Sequence, residues 1–338
     1  MSKWYETTGP EADVVISTRI RIARNLEGYK FPQGLNIEGA EKLTEEILNG
    51  AKSIPDNENY KFIRIGNLSP IERMVYIEEH LISPGLIKNI DKGSFLLRED
   101  ESITIMINEE DHIRTQVILP GLNLENGWEL CDEIDNSLEK SLDYAFHEDF
   151  GYLTACPTNV GTGLRASAMV HLPCLTMTGH MNNLIQGLNK IGLTVRGIYG
   201  EGTDVVGNLY QISNQTTLGE KEEKIIEKLK KVIYQIIERE RDVREELLYK
   251  NEIDMEDMIM RSLGILKYSR KISSVEAMKH LSNVRLGMEM GIIKDIDFQD
   301  ISKLMVDIQS ASIQKSLEKY MEKEERDIQR AILIRESI

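Results

Sequence analysis

At 338 residues, with 41% hydrophobic and 29% charged side chains, the chain has the composition of a globular protein of about two domains. Its net charge of −15 argues against a general nucleic-acid binder, which needs a basic footprint, but leaves room for a small basic pocket. No apolar run approaches the roughly 20 residues of a membrane span, the six histidines lack metal-ligand spacing, and three cysteines without a C-x-x-C pair predict reduced thiols in a cytoplasmic protein.

The N-terminal stretch "MSKWYETTGPEADVV" has no basic-then-apolar pattern and predicts no targeting peptide. Next, "VVISTRIRIA" alternates. Val14, Ile16, Ile20 and Ile22 fall on one face and Ser17, Arg19 and Arg21 on the other, which predicts a half-buried strand with two arginines on its polar face. A helix is predicted over 38–50. "SFLLRED" and "SITIMIN" flank a polar turn and predict a hairpin, with Ile103, Ile105 and Ile107 on one face. "LRASAMVHLP" and "VVGNLYQISN" are further strands, with a helix at 179–191 ending before Gly192. From about residue 220, Ile225, Leu229, Val232, Ile233 and Ile236 form one apolar stripe on a long helix. The rest reads as helix, including a capping box at Ser273 and Glu276 and a stop at Gly291. The strands are not separated by regular helical crossovers. That predicts an α+β fold on a largely antiparallel sheet, followed by an all-α C-terminal domain, with a boundary near 245.

The stretch "CPTNVGTGLRAS" (156–167) admits three chemistries. Gly161 to Ala166 fits G-x-G-x-x-A, but no apolar strand precedes it, no helix pattern comes after it, and no acid lies about 20 positions on. Cys156 fits a nucleophile only if a base such as His147 or His171 is brought to it; a free cysteine is more often a structural thiol. The third reading is a phosphate cradle, in which glycines admit backbone N–H groups and Arg165 supplies a fork. One arginine cannot neutralise a triphosphate, so this reading needs partners: Arg19, Arg21, Arg114 and Arg196 sit on predicted strands or turns. The acidic run "NEEDH" (108–112) reads either as a solvated turn or as a cationic-substrate site with a carboxylate base. Glu201, between two glycines, is a second candidate.

Together, "STRIR" (17–21), "EEH" (78–80), "NEEDHIR" (108–114), "CPTNVGTGLR" (156–165) and "RGIYGEGTD" (196–204) resemble, in this order, the phosphagen (guanidino) kinase family. The resemblance implies an antiparallel sheet flanked by helices, similar to glutamine synthetase catalytic domains, and a phosphotransferase using ATP and Mg²⁺. It implies that Arg19, Arg21, Arg114, Arg165 and Arg196 hold the ATP phosphates. The implied nucleotide site also includes Ser17, Thr18, Ile20, Ala166, Ser167, Ala168, Met169, Gly197, Ile198, Tyr199, Gly200 and Glu201, with His80 at the base or ribose. Glu110 and Glu201 would orient the acceptor guanidinium, one of them taking its proton. Glu109 would lie near the hydrated metal without ligating it directly, and Cys156 would face the guanidinium as a thiolate.

Members acting on small guanidino compounds carry an N-terminal helical domain of about a hundred residues, which a first motif at Ser17 leaves out. The helical C-terminal part is instead similar to that of the bacterial protein-arginine kinases of this family. There an R-D-x-x-R-A element, here Arg326, Asp327, Arg330 and Ala331, forms a regulatory phosphoarginine pocket. The implied layout is a kinase domain over 13–245 and a helical domain over 246–338 for dimerisation and phosphoarginine sensing. The implied activity is ATP-dependent phosphorylation of protein arginine side chains, marking proteins for Clp-type degradation in stress response and protein quality control. Implied partners are proteins with accessible arginine, a Clp-type unfoldase, an activator protein, a stress-response repressor and a second copy of the chain, with neither nucleic acid nor membrane. The alternatives are a metabolic kinase for a small guanidino compound and a phosphoarginine-reading adaptor.

Overall fold

The structure is a computed structural model that describes residues 3–197 and 205–338. The alternating stretch folds into β1 (Val15–Arg24), followed by α1 (Ile37–Gly50), β2 (Tyr60–Arg64), α2 (Pro70–Glu78), β3 (Ser94–Arg98), β4 (Ile103–Ile107), β5 (Ile113–Pro120) and α3 (Leu124–Glu139). Then come β6 (Phe146–His147), β7 (Gly151–Tyr152), β8 (Leu164–His171), α4 (Pro173–Met177), α5 (Met181–Lys190), β9 (Leu193–Gly197) and β10 (Leu209–Asn214). Among the described residues, eight strands form one sheet in the order β2-β3-β4-β5-β1-β8-β10-β9, and each of these pairings is antiparallel. The predicted α+β class and the β3–β4 hairpin are both present.

One face of the sheet packs against helices. Ile20, Ile22, Ile105, Ala166 and Ala168 meet Leu43 and Ile47 of α1, Ile134 and Leu138 of α3, and the Ile225, Leu229, Ile233 and Ile236 stripe of α6 (Glu222–Lys250). Burying each large aliphatic side chain contributes about 1.5–3 kcal/mol. The expected face of β1 needs one correction. A bulge between Val15 and Ser17 turns Ile16 away from Val14, Ile20 and Ile22. Ile16 packs instead with clusters containing Trp4 and Met169.

The helix α6 runs unbroken through 245, and the chain turns at Asn251 into α7 (Glu252–Tyr268), α8 (Ser274–Glu289), α9 (Phe298–Asp307), α10 (Ser310–Ser316) and α11 (Lys323–Ser337). At α8, Ser273 Oγ accepts from Glu276 N, the first half of the expected box. The reciprocal box forms at α2, between Ser69 and Glu72. The C-terminal helices bury Ile259, Leu266, Leu281, Val284 and Ile334 in a cluster that takes in Met169 of β8 and Leu209 of β10. A buried polar network makes the same join: His171 of β8 contacts Glu289 and Ser282 of α8, and Glu289 pairs with Arg244 of α6. No described helix is long and apolar enough to cross a membrane.

Candidate active site

The face of β1 opposite the helices carries Arg19 and Arg21. The ladder sets Arg165 of β8 directly across from Arg21, Ser167 across from Arg19, and Arg114 of β5 across from Ala23. Arg196 of β9 lies across from Gln211 of β10. Like charges opposite one another are destabilising, so this cluster is imposed by the fold. Arg19 and Arg21 keep part of their surface open, yet the surrounding protein acts on both. Burial, then Arg165 and Arg114, lower the Arg19 pKa to about 10. Arg21 is pushed well down by burial and by Arg19, Arg114 and Arg165, with Glu109 opposing. Arg21 Nε is buried without a hydrogen-bond partner. Arg19 Nη2 donates to Gln211 Oε1 and Arg165 Nη2 donates to Ser213 Oγ at 3.0 Å, which aims the forks. Concentrated, desolvated donors of this kind fit a polyanion such as a triphosphate.

Two adjoining cavities share Arg21 and Arg196. The larger, about 370 Å³, is lined by Glu110, Arg114, Cys156, Asn159 and Arg165 as well; the smaller, about 150 Å³, adds Arg19, His80, Ser83, Gln116 and Gln211. "NEEDH" is not a solvated turn. Asn108, Glu109, Asp111 and His112 are buried, while the Glu110 side chain is 40% exposed at the larger cavity. Arg114 bridges the acids, with Nη1 at 2.7 Å from Glu109 and Nη2 at 2.9 Å from Glu110. Glu109 also accepts from Ser83 Oγ at 2.5 Å and from the Glu110 N–H at 2.7 Å.

The turn is tied to the cysteine loop by Asp111. Its Oδ1 accepts from Ala155 N and from Asn25 Nδ2, both at 2.7 Å. Asn25 Oδ1 accepts in turn from His112 N at 2.9 Å. Cys156 lies next to this anchor, partly exposed, with Sγ 3.0 Å from Thr158 Oγ1. Gly161 (φ +111°) and Gly163 (φ +65°) then make close backbone approaches. A Cβ on Gly161 would sit 2.3 Å from Thr217 O, and one on Gly163 2.5 Å from Ala23 O. They lead into a strand, β8, whereas a dinucleotide turn opens a helix. Beneath the loop, Arg24 donates to Thr162 O at 2.8 Å, pairs with Asp135 at 2.6 Å and stacks 3.5 Å from the Tyr152 ring centroid. Neither His147 nor His171 reaches the cysteine: His147 contacts Asp149 N and Phe150, and His171 is buried against Ser282 and Glu289.

His80 has φ +60°, and burial, then Arg19, lower its pKa to about 3, so the ring is neutral. Gln116 Nε2 donates to its carbonyl at 2.9 Å. Just before it, Glu79 accepts from Lys3 Nζ at 2.8 Å and Tyr5 OH at 3.0 Å, and Trp4 Nε1 donates to Glu79 O at 3.0 Å. Sequence reasoning missed Lys3, Trp4, Tyr5, Asn25, Thr158, Asn159 and Gln211. Gln211 was findable by period-2 alternation in "VVGNLYQISN", and Thr158 and Asn159 lie inside the quoted "CPTNVGTGLR"; nothing local marks the others.

Of the expected nucleotide residues, Ser17, Ser167 and Met169 border a gap beside Arg19 and His80. Thr18, Ile20, Ala166 and Ala168 point the other way. Thr18 Oγ1 donates to Gly121 O at 2.8 Å, and the other three lie in the helical-face core. Gly197 ends β9, and Ile198, Tyr199, Gly200 and Glu201 lie outside the described residues. In α11, Asp327, Arg330 and Ala331 are buried. Arg330 donates through Nε to Ile308 O (2.8 Å) and through Nη1 to Ile272 O (2.9 Å) and Asp327 Oδ1 (2.5 Å), and Arg326 donates to Met321 O at 2.8 Å.

Residues 40–243 match the model of the ATP:guanido phosphotransferase C-terminal catalytic domain, and residues 252–338 match the protein-arginine kinase McsB C-terminal domain. The chain is 50% identical to a protein-arginine kinase of Halothermothrix orenii, over 99% of this chain and 96% of the relative. It is 46% identical to one of Clostridium tetani, over 100% of this chain and 99% of the relative. Among solved structures it is similar to a lombricine kinase, with 26% identity and a TM-score of 0.60 over 69% of this chain and 68% of that one.

Proposed function

The chain belongs to the ATP:guanido phosphotransferase family, and from that premise we propose that it transfers the γ-phosphoryl group of ATP to arginine side chains of proteins. The observation that carries this reading is one cavity in which a carboxylate and a thiol, Glu110 and Cys156, face Arg21, Arg114, Arg165 and Arg196. Phosphoryl transfer depends on alignment and charge neutralisation, and the crowded arginines gain most from a bound polyphosphate. Arg19, Arg21, Arg114, Arg165 and Arg196 hold the phosphates, with the neutral His80 ring toward the nucleoside.

The acceptor guanidinium is cationic and therefore a poor nucleophile. Glu110 orients it and accepts a proton. As the nitrogen lone pair forms the N–P bond, the bond from phosphorus to the bridging oxygen of ADP breaks. Arg114 pairs with Glu110, so a bound phosphate competes for the same guanidinium and leaves the carboxylate to the acceptor. Cys156, across the same cavity, contacts the guanidinium without being phosphorylated. Glu201 is assigned as the second carboxylate by motif position alone. Among the described residues no group of three His, Cys, Asp or Glu side chains could hold a metal, and Glu109 is occupied by Arg114, Ser83 and the Glu110 N–H. Mg²⁺ accompanying ATP would supply charge neutralisation, and Glu109 is the residue that would help hold it, through water.

The proposal extends to a cytoplasmic homodimer that marks proteins for a Clp-type unfoldase, with an activator and a stress-response repressor as further partners. Arg326, Asp327, Arg330 and Ala331 are its phosphoarginine-sensing element, and a phosphate binding there competes with Asp327 for Arg330 Nη1. The test is incubation with Mg-ATP and, separately, a denatured protein and free arginine. Acid-labile phosphate on protein arginine with little on free arginine is expected. The reverse would establish a kinase for a small guanidino compound instead.

A further inference from the structure

The last residue of α2 is Glu78, a buried carboxylate that lines neither of the two adjoining cavities. It accepts from Ala311 N at 2.9 and 3.0 Å, from Ser312 N at 2.8 Å and from Ser312 Oγ at 2.8 Å. These donors are the first turn of α10. The N-cap residue Gln309 gives that helix no side-chain cap, because its amide donates back to Met305 O. A carboxylate from 233 positions away thus fills the role an N-cap side chain normally fills, where the helix dipole favours negative charge.

Glu78 is flanked in the chain by the wall of the smaller cavity: Ile77, His80, Ile82, Ser83 and Pro84 line it. His80 lies two positions beyond Glu78. Its left-handed backbone (φ +60°) is one an ordinary side chain rarely adopts, so surrounding contacts must hold it. Glu79 anchors the wall on one side through Lys3 and Tyr5. Glu78 anchors it on the other, to a helix positioned by its C-terminal neighbours. Arg330 Nε donates to Ile308 O where α10 begins, and Gln314 Oε1 accepts from Met321 N where α10 leads on to α11.

We infer that Glu78 is a positioning residue for nucleotide binding: by capping α10 it lets the C-terminal helices set the His80 wall of the cavity. The inference rests on the nucleotide reading of that cavity. Removing the carboxylate loosens a wall that touches ATP but not the transferring group, so it weakens binding of ATP in the ground and transition states alike, and KM rises with kcat held.

The experiment compares the full-length protein with Glu78→Ala, Glu78→Gln and Ser312→Ala, measuring Mg-ATP binding, KM for ATP, kcat on a denatured protein and thermal midpoint. Glu78→Ala is expected to raise KM for ATP about tenfold, with kcat within about twofold. Glu78→Gln, which keeps an acceptor oxygen, should fall between it and the unmodified protein. Ser312→Ala, on the far side of the contact and outside the cavity, should raise KM about two- to threefold. A lowered thermal midpoint with unchanged KM in the variants that fold would overturn the inference and leave Glu78 a structural cap. If Glu78→Ala does not fold, unchanged KM in both Glu78→Gln and Ser312→Ala has the same force. Failure of the unmodified protein to bind Mg-ATP would instead overturn the nucleotide reading, and this inference with it.

Discussion

Asp111 is the residue whose replacement separates geometry from charge. It is fully buried, and its Oδ1 joins the Glu110 turn to the Cys156 loop by accepting from Asn25 Nδ2 and Ala155 N at 2.7 Å. Asp111→Ala deprives both donors of that acceptor. Asn25 Nδ2 keeps Leu153 O at 3.0 Å, so its loss is partial. With about 1–3 kcal/mol for each buried donor left unsatisfied, the variant should lose about 2–4 kcal/mol. Asp111→Asn keeps an oxygen at the Oδ1 position. Its amide nitrogen replaces Oδ2, which already lacks a partner. Burial pushes the Asp111 pKa up against the pull of Ala155, Asn25 and Arg114, so a neutral group relieves desolvation and the loss should stay near ~1 kcal/mol. Equilibrium urea unfolding measures the stabilities. Turnover on a denatured protein should fall on the order of 100-fold in Asp111→Ala, because a displacement of about 1 Å costs that much, and should be largely retained in Asp111→Asn. If the two variants are equally damaged, the charge matters and Asp111 is not a simple tether. Wild-type stability in Asp111→Ala would refute the tether outright.

Glu110→Gln keeps the size of the side chain but cannot accept the proton, so kcat should drop about 100-fold or more while Mg-ATP binding by isothermal titration persists; retained turnover would show the base is misassigned. Gly163→Ala puts a Cβ on a left-handed residue 2.5 Å from Ala23 O, and should cost about 1–3 kcal/mol in backbone strain alone, read as an earlier denaturant midpoint. For pH, the folded His80 pKa of about 3 lies below an unfolded value near ~6.5. Its contribution is complete above pH ~6.5 and lost as pH falls toward the folded value, by about 1 kcal/mol at pH ~5.5. The stability difference between the unmodified protein and His80→Gln should shift by that amount, against the unmodified protein, between pH 7.5 and 5.5; a difference independent of pH would contradict a neutral, half-buried His80.

Much of the site was legible because its signals are local. Period-2 alternation put Arg19 and Arg21 on one strand face. The spacing of "NEEDH" and "CPTNVGTGLR" supplied Glu110, Cys156 and Arg165, and all five line the two adjoining cavities. The same alternation, applied strictly, would have removed Thr18, Ile20, Ala166 and Ala168 from the nucleotide face, since carrying a motif over whole includes residues that point into the core. The bulge at Val15 to Ser17 was not legible, because one inserted residue leaves the composition unchanged and reverses which face Ile16 occupies.

The sequence by itself determined the α+β class, the arginine-bearing strand, the β3–β4 hairpin, the carboxylate and thiol of the larger cavity as candidates, and the helical stripe of the C-terminal region. Only the tertiary structure decided what holds them in place: Asn25 with Asp111, Arg24 with Thr162, Lys3 and Tyr5 with Glu79, and Glu78 with α10. The physical reason is the range of each signal. Strand and helix periodicity is written into neighbouring residues by backbone geometry. A hydrogen bond between Glu78 and Ser312 joins residues 234 positions apart, and nothing in either local sequence marks them as partners until packing brings the chain together.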